Sequence, residues 1–310
     1  MKNIFLIGAT GYIGEVFTQQ IYKNKELNCF QIPHWKLYKD VEESAKHSDC
    51  PRIKGYFHDW EKLHQLIDEF SPDLVINAAG YIGKPNVDAC EDNKEATYEG
   101  NVEFPTFLAK TCYLADIPFA HISSGCIYGG YKEDGSGYTE DEEPNFDFSN
   151  GSYYSGTKAL AESRIKNACD KYYIWRLRIP FDKYHSGRNY LSKMMTYDKL
   201  LDATNSMTHR YEFVDSCLDL WLNKEDYGIY NIVNSGPVTT KQVVALIKKY
   251  LKTDKDFKFW KNDEEFYSFG AKAPRSNCVL DNSKLTKTGI KIRDTEEAII
   301  ESLKYWTELN

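Results

Sequence analysis

The sequence predicts an α/β fold, a doubly wound parallel sheet followed by a smaller carboxyl-terminal lobe. Three observations predict it. Through the first half of the chain, short apolar β-type runs alternate with longer helical patterns, as in a parallel sheet covered on both faces. A glycine-rich turn directly follows the first of these runs. After residue 180 the alternation weakens, which indicates a different organisation for the rest of the chain.

The bounds of the elements follow from the period of the apolar residues. Apolar runs predict strands at 3–7, 29–32, 74–78, 119–123, 173–179 and 228–233. Helical spacing predicts helices over 13–23, 60–69, 102–114, 154–169 and 240–251, with a helical tail at 290–308. The acidic, turn-rich stretch 131–151 is expected to be a surface loop. We therefore expect a nucleotide-binding domain at 1–180, completed by about 205–235, and a smaller, discontinuous second lobe that takes up most of 181–310 and completes a ligand-binding cleft.

Composition and charge argue against several classes of partner. The 310 residues carry a net charge of −7, which argues against nucleic acid or an anionic membrane. No apolar run is long enough to span a membrane, and the start MKNIFLIGATG runs straight into a strand, so a cytosolic location is expected. The eight cysteines include no CxxC pair or short Cys/His spacing, so neither a disulfide framework nor a metal site is indicated.

The turn GATGYIG indicates a Rossmann-type dinucleotide site. Gly8 permits a tight turn, Gly11 lets a pyrophosphate approach the backbone, and the following helix offers free N–H groups and a positive dipole end. An ordinary glycine-rich turn is the alternative. The candidate cofactor contacts are Gly8, Thr10, Gly11, Tyr12, Ile13 and Gly14 here, and Asn77, Ala78, Ala79 and Gly80 in the later stretch NAAG.

The residues after the second predicted strand favour NADPH over NADH. NAD-type sites usually place a carboxylate at this point to bind the ribose 2′-hydroxyl. The stretch FQIPHWK has none and offers His34 and Lys36, so a 2′-phosphate is better tolerated. The alternative is that both are ordinary solvated surface residues.

A tyrosine and a lysine form the candidate reactive centre. Tyr154 and Lys158, in YYSGTK, lie four residues apart on a predicted helix and therefore share one face. A phenol beside an ammonium is suited to protonating a carbonyl oxygen as hydride arrives at the carbon. Together with GATGYIG, NAAG and the SSG at 123–125, this pair resembles the extended short-chain dehydrogenase/reductase superfamily over nearly the whole chain. The resemblance implies that Ser124 binds the substrate oxygen and that Lys158 also holds the nicotinamide ribose.

Longer motifs narrow the resemblance. NAAGYIGKPNVDACE, SSGCIYGG, EDEEPNFDFSNGSYYSGTKALAE, RLRIPFDKYHSGRNYLSKM, NSMT and APRSN are similar to the nucleotide-rhamnose synthase/epimerase-reductases. That family converts UDP-4-keto-6-deoxyglucose to UDP-L-rhamnose by 3,5-epimerisation and NADPH-dependent 4-reduction. The resemblance implies this activity, with homodimers common. One departure is the segment 34–56, which is longer than the family's short connection.

The same resemblance assigns a base and an acid for epimerisation. A ketone at C4 acidifies the hydrogens at C3 and C5, so a base and an acid on opposite sugar faces can invert both centres. Cys126, two residues after Ser124, resembles the family's cysteine base, and Lys193 matches its lysine acid. His185 is near in sequence but does not fall in that position. On residue type alone, Cys126 could equally be a packing residue and Lys193 a solvated one.

Basic and amide residues are expected to bind the sugar nucleotide. The candidates are Lys84 and Asn86 in GKPNVD, Arg188 and Asn189 in GRNYL, and Arg275 in APRSN. Each could instead be a capping or ion-pair residue. Two other functions stay open: a 4-reductase without epimerase activity or one acting on dTDP- or GDP-sugars, and a non-catalytic NADPH-binding regulatory subunit.

Overall fold

The structure is a computed structural model that describes residues 1–33, 38–39, 57–84 and 86–308. The candidate cofactor contacts His34 and Lys36 therefore lie outside the described residues. Among the described helices, none is long and apolar enough to cross a membrane.

The strands have the following bounds: β1 (Lys2–Ile7), β2 (Leu27–Ile32), β3 (Tyr38–Lys39), β4 (Phe57–His58), β5 (Leu74–Asn77), β6 (Phe119–Ser124), β7 (Tyr172–Leu177), β8 (Pro180–Phe181), β9 (Lys199–Leu200), β10 (Thr204–Asn205), β11 (Thr208–His209), β12 (Gly228–Asn231), β13 (Val238–Thr239) and β14 (Lys258–Phe259). The helices are α1 (Gly14–Lys23), α2 (Trp60–Phe70), α3 (Ala89–Asp92), α4 (Lys94–Tyr98), α5 (Phe104–Leu114), α6 (Tyr153–Ala168), α7 (Tyr190–Thr196), α8 (Arg210–Leu222), α9 (Thr240–Leu251), α10 (Asp263–Phe269), α11 (Ser283–Lys287) and α12 (Thr295–Lys304).

Six described strands form the main sheet, in the order β12-β7-β6-β5-β1-β2. Pairing is parallel between β1 and β2, β1 and β5, and β5 and β6, which confirms the predicted fold class. The chain runs from β1 to β2 on one side and returns to β5 on the other. The carboxyl ends of β1 and β5 therefore form the switch point at which open α/β sheets bind ligands.

The chain forms two compact units. One consists of Met1–Ser123, Asp147–Trp175 and Asp226–Ile229. The other consists of Ser124–Phe146, Arg176–Glu225 and Tyr230–Asn310. The core of the first unit packs sheet residues such as Phe5 and Val75 against residues of α2 and α5. The core of the second packs α7, α9 and α12 together, around residues such as Ile247.

The structure differs from three sequence-based expectations about single elements. The helix expected at 102–114 begins at Phe104 and is preceded by a π-helical turn, Glu99–Glu103. The strand expected at 173–179 ends at Leu177, because Ile179 has a φ of 41° and Pro180 has no N–H to donate. In the tail expected at 290–308, the helix is confined to α12.

The acidic stretch 131–151 is not entirely a surface loop. Within the second unit, Glu140 is buried, and its Oε1 accepts a hydrogen bond from the backbone N–H of Asn231 at 2.7 Å. The Asn231 side chain in turn donates to the backbone oxygen of Tyr138 at 3.0 Å. Burial raises the pKa of Glu140. Composition indicated solvent exposure here, but the partner that buries this carboxyl lies far away in the sequence.

Candidate functional site

The GATGYIG turn is closely packed, and two of its glycines are required for steric reasons. Gly8 has a φ of 83°, and its carbonyl accepts a hydrogen bond from the Gly11 N–H at 2.9 Å. A Cβ on Gly14 would lie 2.0 Å from the Gly8 oxygen, and a Cβ on Gly8 would lie 2.5 Å from the Ala79 nitrogen. The loops after β1 and β5 therefore touch at the switch point, backbone against backbone.

The start of α1 is open to an anionic group. Its N-cap, Ile13, makes no side-chain cap hydrogen bond, and the N–H groups of Glu15, Val16 and Phe17 donate to the Gly11 and Ile13 carbonyls. The positive end of the helix dipole and the lack of side chains at Gly8 and Gly11 match what a dinucleotide pyrophosphate requires. The residues of this loop therefore fit the cofactor that the sequence indicates.

The stretch NAAG is held by its own asparagine. Asn77 is fully buried at the end of β5, and its Oδ1 accepts a hydrogen bond from the Ala79 N–H at 3.1 Å. The Ala78 N–H donates to the Ile7 carbonyl at 2.9 Å, which joins this stretch to β1. The Asn77 Nδ2 faces Nδ1 of His121 on the paired strand at 3.1 Å.

Lys158 is a buried lysine anchored to β6. Its side chain is 4% exposed, and its Nζ donates to the Ile122 carbonyl at 3.0 Å. The same Nζ lies 3.5 Å from Nε2 of His121. A Cβ on Gly80 would lie 3.7 Å from it, which places the ammonium beside the cofactor stretch NAAG. The two predicted groups, NAAG and Lys158, are thus brought together within the first unit.

The start of α6 places Tyr154 one turn before Lys158. Ser152 caps the helix by accepting a hydrogen bond from the Ser155 N–H at 3.1 Å. Glu91 accepts from the Tyr153 N–H at 2.7 Å. Tyr154 is half-buried in the first turn. Both caps fix the register of the helix, so the four-residue spacing puts the phenol and the ammonium on one face.

Sequence reasoning missed Asn101. This fully buried residue lies in the π-helical turn, where Oδ1 accepts from the Tyr81 N–H at 2.8 Å and Nδ2 donates to the Tyr81 carbonyl at 2.9 Å. Nδ2 also lies 3.3 Å from Oγ1 of Thr157, directly before Lys158 in α6. Asn101 therefore holds the segment after NAAG against α6. A polar residue just before an otherwise apolar helical pattern is the signal that could have identified it.

In the second unit, Ser124 and Cys126 share one short turn. The Ser124 Oγ accepts a hydrogen bond from the Cys126 N–H at 3.2 Å and caps the 3-10 turn Gly125–Ile127. Among the described residues, the Ser124 hydroxyl hydrogen donates to no acceptor, so it can donate to a ligand. Cys126 is 6% exposed. The seven described cysteines are free thiols, and the described residues contain no group of three metal-ligating side chains.

Lys193 lies on α7 in a setting that disfavours its charged form. Burial, and after it the nearby Arg188 guanidinium, lowers the pKa of Lys193. No carboxylate pairs with Lys193 in the part of the chain that the structure describes. Arg188 is exposed, and over the same residues its guanidinium makes no hydrogen bond or ion pair. His185 pairs instead with Glu308, at 3.0 Å from Nδ1 to Oε2.

Asn189 is an interior residue of the loop that carries Arg188 and Lys193. It is fully buried, and its Nδ2 donates to the Asp182 and Tyr184 carbonyls, both at 2.8 Å. Its Oδ1 caps α7 by accepting from the Leu191 N–H at 2.9 Å. These contacts use the hydrogen-bonding capacity of the amide, so the structure gives Asn189 a role in shaping the loop.

The remaining predicted substrate contacts lie on turns. The Asn86 Oδ1 accepts from the Asp88 N–H at 2.8 Å, which closes a tight turn after the exposed Lys84. Arg275 is half-buried and donates to the Ala273 carbonyl at 3.0 Å, while its N–H meets the Tyr267 hydroxyl at 3.2 Å.

A buried arginine that the sequence did not reveal lies behind the thiol turn. Arg178 is 8% exposed and donates to Asn205 Oδ1 at 2.7 Å and to the Ser276 carbonyl. A Cβ on Gly125 would lie 3.5 Å from its Cδ. Arg178 therefore joins the turn that holds Cys126 to the APRSN segment that contains Arg275.

Comparisons with known proteins agree on one family. The family described as RmlD substrate binding domain matches residues 1–307. A bifunctional dTDP-4-dehydrorhamnose 3,5-epimerase/dTDP-4-dehydrorhamnose reductase of Arabidopsis thaliana is 32% identical, over 79% of this chain and 81% of that protein. A trifunctional UDP-glucose 4,6-dehydratase/UDP-4-keto-6-deoxy-D-glucose 3,5-epimerase/UDP-4-keto-L-rhamnose-reductase of the same plant is 32% identical over 83% of this chain. The chain spans only 38% of that relative's length.

Solved structures show the same fold. A UDP-rhamnose synthase of Acanthamoeba polyphaga mimivirus superposes with a TM-score of 0.82 at 22% identity, covering 98% of this chain and 99% of that one. A dTDP-4-dehydrorhamnose reductase of Bacillus anthracis, solved in complex with NADP, superposes with a TM-score of 0.76 at 19% identity, covering 99% of both chains.

Proposed function

The chain belongs to the family of the RmlD substrate-binding domain, and from this premise we propose that it reduces 4-keto sugar nucleotides with NADPH. We propose further that it is bifunctional. It inverts C3 and C5 of UDP-4-keto-6-deoxy-D-glucose before reducing C4, and it releases UDP-L-rhamnose. A homodimer and a cytosolic location are part of the same proposal.

The proposed reduction uses the glycine loop, Tyr154 and Lys158 of the first unit, and Ser124. Bound NADPH supplies the hydride. The glycine loop holds its pyrophosphate, and Gly80 beside the Lys158 Nζ leaves room for the nicotinamide ribose. Tyr154 gives its phenolic proton to O4 as the alkoxide forms, and the Lys158 ammonium on the same helix face stabilises the tyrosinate that remains. Ser124 donates its unengaged hydroxyl hydrogen to the same oxygen.

Lys193 carries the epimerase part of the proposal. An ordinary surface lysine is paired or hydrated and holds its proton too tightly to act as an acid near neutral pH. Lys193 is half-buried beside Arg188, has no carboxylate partner among the described residues, and has a lowered pKa. It is therefore suited to protonate one face of an enolate, while the Cys126 thiolate removes the proton from the other.

Three basic residues are proposed to bind the diphosphate. Arg188, Lys84 and Arg275 are the predicted contacts, and a chain of net charge −7 needs such local cations to bind an anionic ligand. Asn189 contributes by shaping the loop that presents Arg188. Relatives with UDP and dTDP substrates are both similar to this chain, and uracil differs from thymine by one methyl group. We propose UDP because long motifs of the sequence resemble the UDP-dependent enzymes.

The decisive experiment follows the 4-keto substrate by NMR in D2O without NADPH, and then measures product formation with NADPH. Wild-type protein should incorporate deuterium at C3 and C5 and should then form the L-rhamno product as NADPH is consumed. Cys126→Ser replaces the thiol by a hydroxyl, a much weaker acid that does not ionise usefully near neutral pH, so exchange should fall by about 100-fold or more. Tyr154→Phe should lower both activities, and reduction most.

Cys29→Ser is the matched control. Burial raises the pKa of Cys29 to about 11, so its thiol does not ionise at neutral pH, and this substitution should leave exchange unchanged. Exchange at the wild-type rate in Cys126→Ser would return the protein to the alternative, a 4-reductase without epimerase activity. Absence of NADPH consumption by the wild type with UDP- and dTDP-linked 4-keto sugars would favour the regulatory subunit instead.

A further inference from the structure

A chain of hydrogen bonds through a buried histidine links the cofactor stretch to the reactive lysine. Asn77 and His121 are both fully buried and lie opposite each other in the register of β5 and β6. Polar side chains in the centre of an apolar sheet are unfavourable unless they are hydrogen-bonded. The His121 ring packs against the Phe119 ring, and the polar edges of Asn77 and His121 face each other within this apolar surrounding.

The hydrogen bonds of this chain assign the tautomer of His121. The Ala79 N–H donates to Asn77 Oδ1, so the amide must point its Nδ2 toward His121 Nδ1, at 3.1 Å. An amide nitrogen only donates, so Nδ1 is an acceptor and carries no proton. Burial, and after it the nearby Lys158 ammonium, lowers the pKa of His121 well below its ordinary value. The neutral ring therefore carries its proton on Nε2.

This tautomer determines how His121 interacts with Lys158. Nε2–H points to the Lys158 Nζ at 3.5 Å, and the same Nζ donates to the Ile122 carbonyl at 3.0 Å. If Lys158 is an ammonium, it and the Nε2–H of His121 are both hydrogen-bond donors, and their contact is unfavourable. A neutral amine accepts from Nε2–H and still donates to the Ile122 carbonyl, so each of these two contacts then joins one donor to one acceptor.

We propose that His121 is a positioning residue that stabilises the amine form of Lys158 and thereby eases the return of a proton to Tyr154. The inference rests on the proposed reduction. Each reduction transfers one proton from the Tyr154 phenol to O4, and Lys158 then transfers one proton to the tyrosinate. The lysine is left as an amine, and at that moment the Nε2–H of His121 becomes a hydrogen-bond donor to its lone pair. Solvent restores the proton to Lys158 before the next turnover.

Two substitutions separate the two ends of the ring. His121→Gln can place its terminal amide where Nε2 lies, and so keeps a donor toward Lys158. His121→Asn can place its amide where Nδ1 lies, and so keeps the partner of Asn77 but loses the contact with Lys158. We expect His121→Asn to lower kcat of reduction about tenfold, because one hydrogen bond to the reacting lysine is lost.

The Michaelis constant for NADPH in His121→Asn should stay within about twofold of wild type, because the pyrophosphate loop is untouched. The solvent deuterium isotope effect on kcat should rise, since proton return becomes slower. His121→Gln should retain kcat within about threefold of wild type. If His121→Asn stayed active while His121→Gln was impaired, the contact with Asn77 would matter instead, and the proposal would be overturned. Equal loss of activity in both variants would overturn it too, by pointing to packing of the ring.

A second measurement needs neither substrate nor substitution. Nitrogen-15 NMR of the histidine rings in the wild-type protein reports the tautomer, with the His121→Gln spectrum used for assignment. We expect a neutral ring protonated at Nε2. A ring protonated at Nδ1 would overturn the proposal even if a variant failed to fold. If wild-type protein reduced no 4-keto sugar, the proposed function would fail, whereas the NMR result would still decide the tautomer.

Discussion

The three glycines of GATGYIG should respond to alanine in different ways, because the structure gives each a different surrounding. At Gly8 the backbone has a φ of 83°, and an added Cβ would lie 2.5 Å from the Ala79 nitrogen. At Gly14 it would lie 2.0 Å from the Gly8 oxygen. At Gly11 the nearest atom, again the Gly8 oxygen, would be 3.1 Å away. Alanine at Gly8 or Gly14 requires the neighbouring backbone to move substantially. Alanine at Gly11 requires the neighbouring oxygen to move by only a few tenths of an ångström.

The distances set the size of each effect. Gly8→Ala adds left-handed strain of about 1–2 kcal/mol to a clash that costs about 1–3 kcal/mol. Gly14→Ala must displace the Gly8 carbonyl and so also loses the bond from the Gly11 N–H, for a total of about 2–4 kcal/mol. Gly11→Ala should change stability by about 1 kcal/mol or less. It places a methyl group where the pyrophosphate approaches, so losing one charge-assisted contact should weaken NADPH binding about 10- to 150-fold.

Urea unfolding and a fluorescence titration with NADPH test these expectations. Gly8→Ala and Gly14→Ala should unfold at clearly lower urea concentrations than wild type, and Gly11→Ala should unfold near the wild-type midpoint while binding NADPH poorly. Gly135→Ala is the control for strain alone, because Gly135 has a φ of 84° and an added Cβ would meet nothing within 4 Å. If folded Gly11→Ala bound NADPH as tightly as wild type, the assignment of this loop to the cofactor would be refuted. If Gly14→Ala unfolded at the wild-type urea concentration, the close approach of Gly14 to the Gly8 oxygen would be refuted.

Two further substitutions test the second unit. Arg188→Ala removes a positive charge that lowers the pKa of Lys193, so that pKa should rise. The alkaline limb of the pH profile of epimerisation should therefore move to higher pH. A limb that moves to lower pH would contradict this. Arg275→Ala should raise the Michaelis constant for the sugar nucleotide about tenfold or more with kcat little changed, since the diphosphate is remote from the reacting carbon. An unchanged Michaelis constant in steady-state assays would remove Arg275 from the site.

The fold was predictable from the sequence because its signals are local. Apolar runs set the strands, and glycine is required at Gly14 because the Gly8 oxygen lies close by in the same turn. The capped helix α9 has the bounds that its period predicts, because Thr239 and Gln242 form a capping box at its start. The predicted end of the strand at 173–179 was wrong because of a single backbone angle, at Ile179. The predicted exposure of 131–151 was wrong at Glu140 because its partner lies far away in the sequence.

Parts of the candidate site were not predictable, since they depend on register and burial. His121 looks like any residue of an apolar strand until the pairing of β5 with β6 sets it opposite Asn77. Asn101 gains its role from a π-helical turn that no period indicates. Tyr154 and Lys158 were identified by their spacing in YYSGTK and Ser124 by resemblance, and the structure adds what holds each of them. Their chemical roles stay predictions until the substitutions are measured.

The spacing of Ser124 and Cys126 gives one physical reason why a single chain could perform two reactions. Removing a proton at C3 or C5 and adding hydride at C4 both place negative charge on O4, first as an enolate and then as an alkoxide. One donor set can therefore stabilise both steps. The Ser124 oxygen accepts a hydrogen bond from the Cys126 N–H, and the serine hydroxyl hydrogen can serve as such a donor. The same turn places the Cys126 thiol two residues away. Under the proposed mechanism, epimerase activity would then need only a base and an acid beside a ketone that the reductase already polarises.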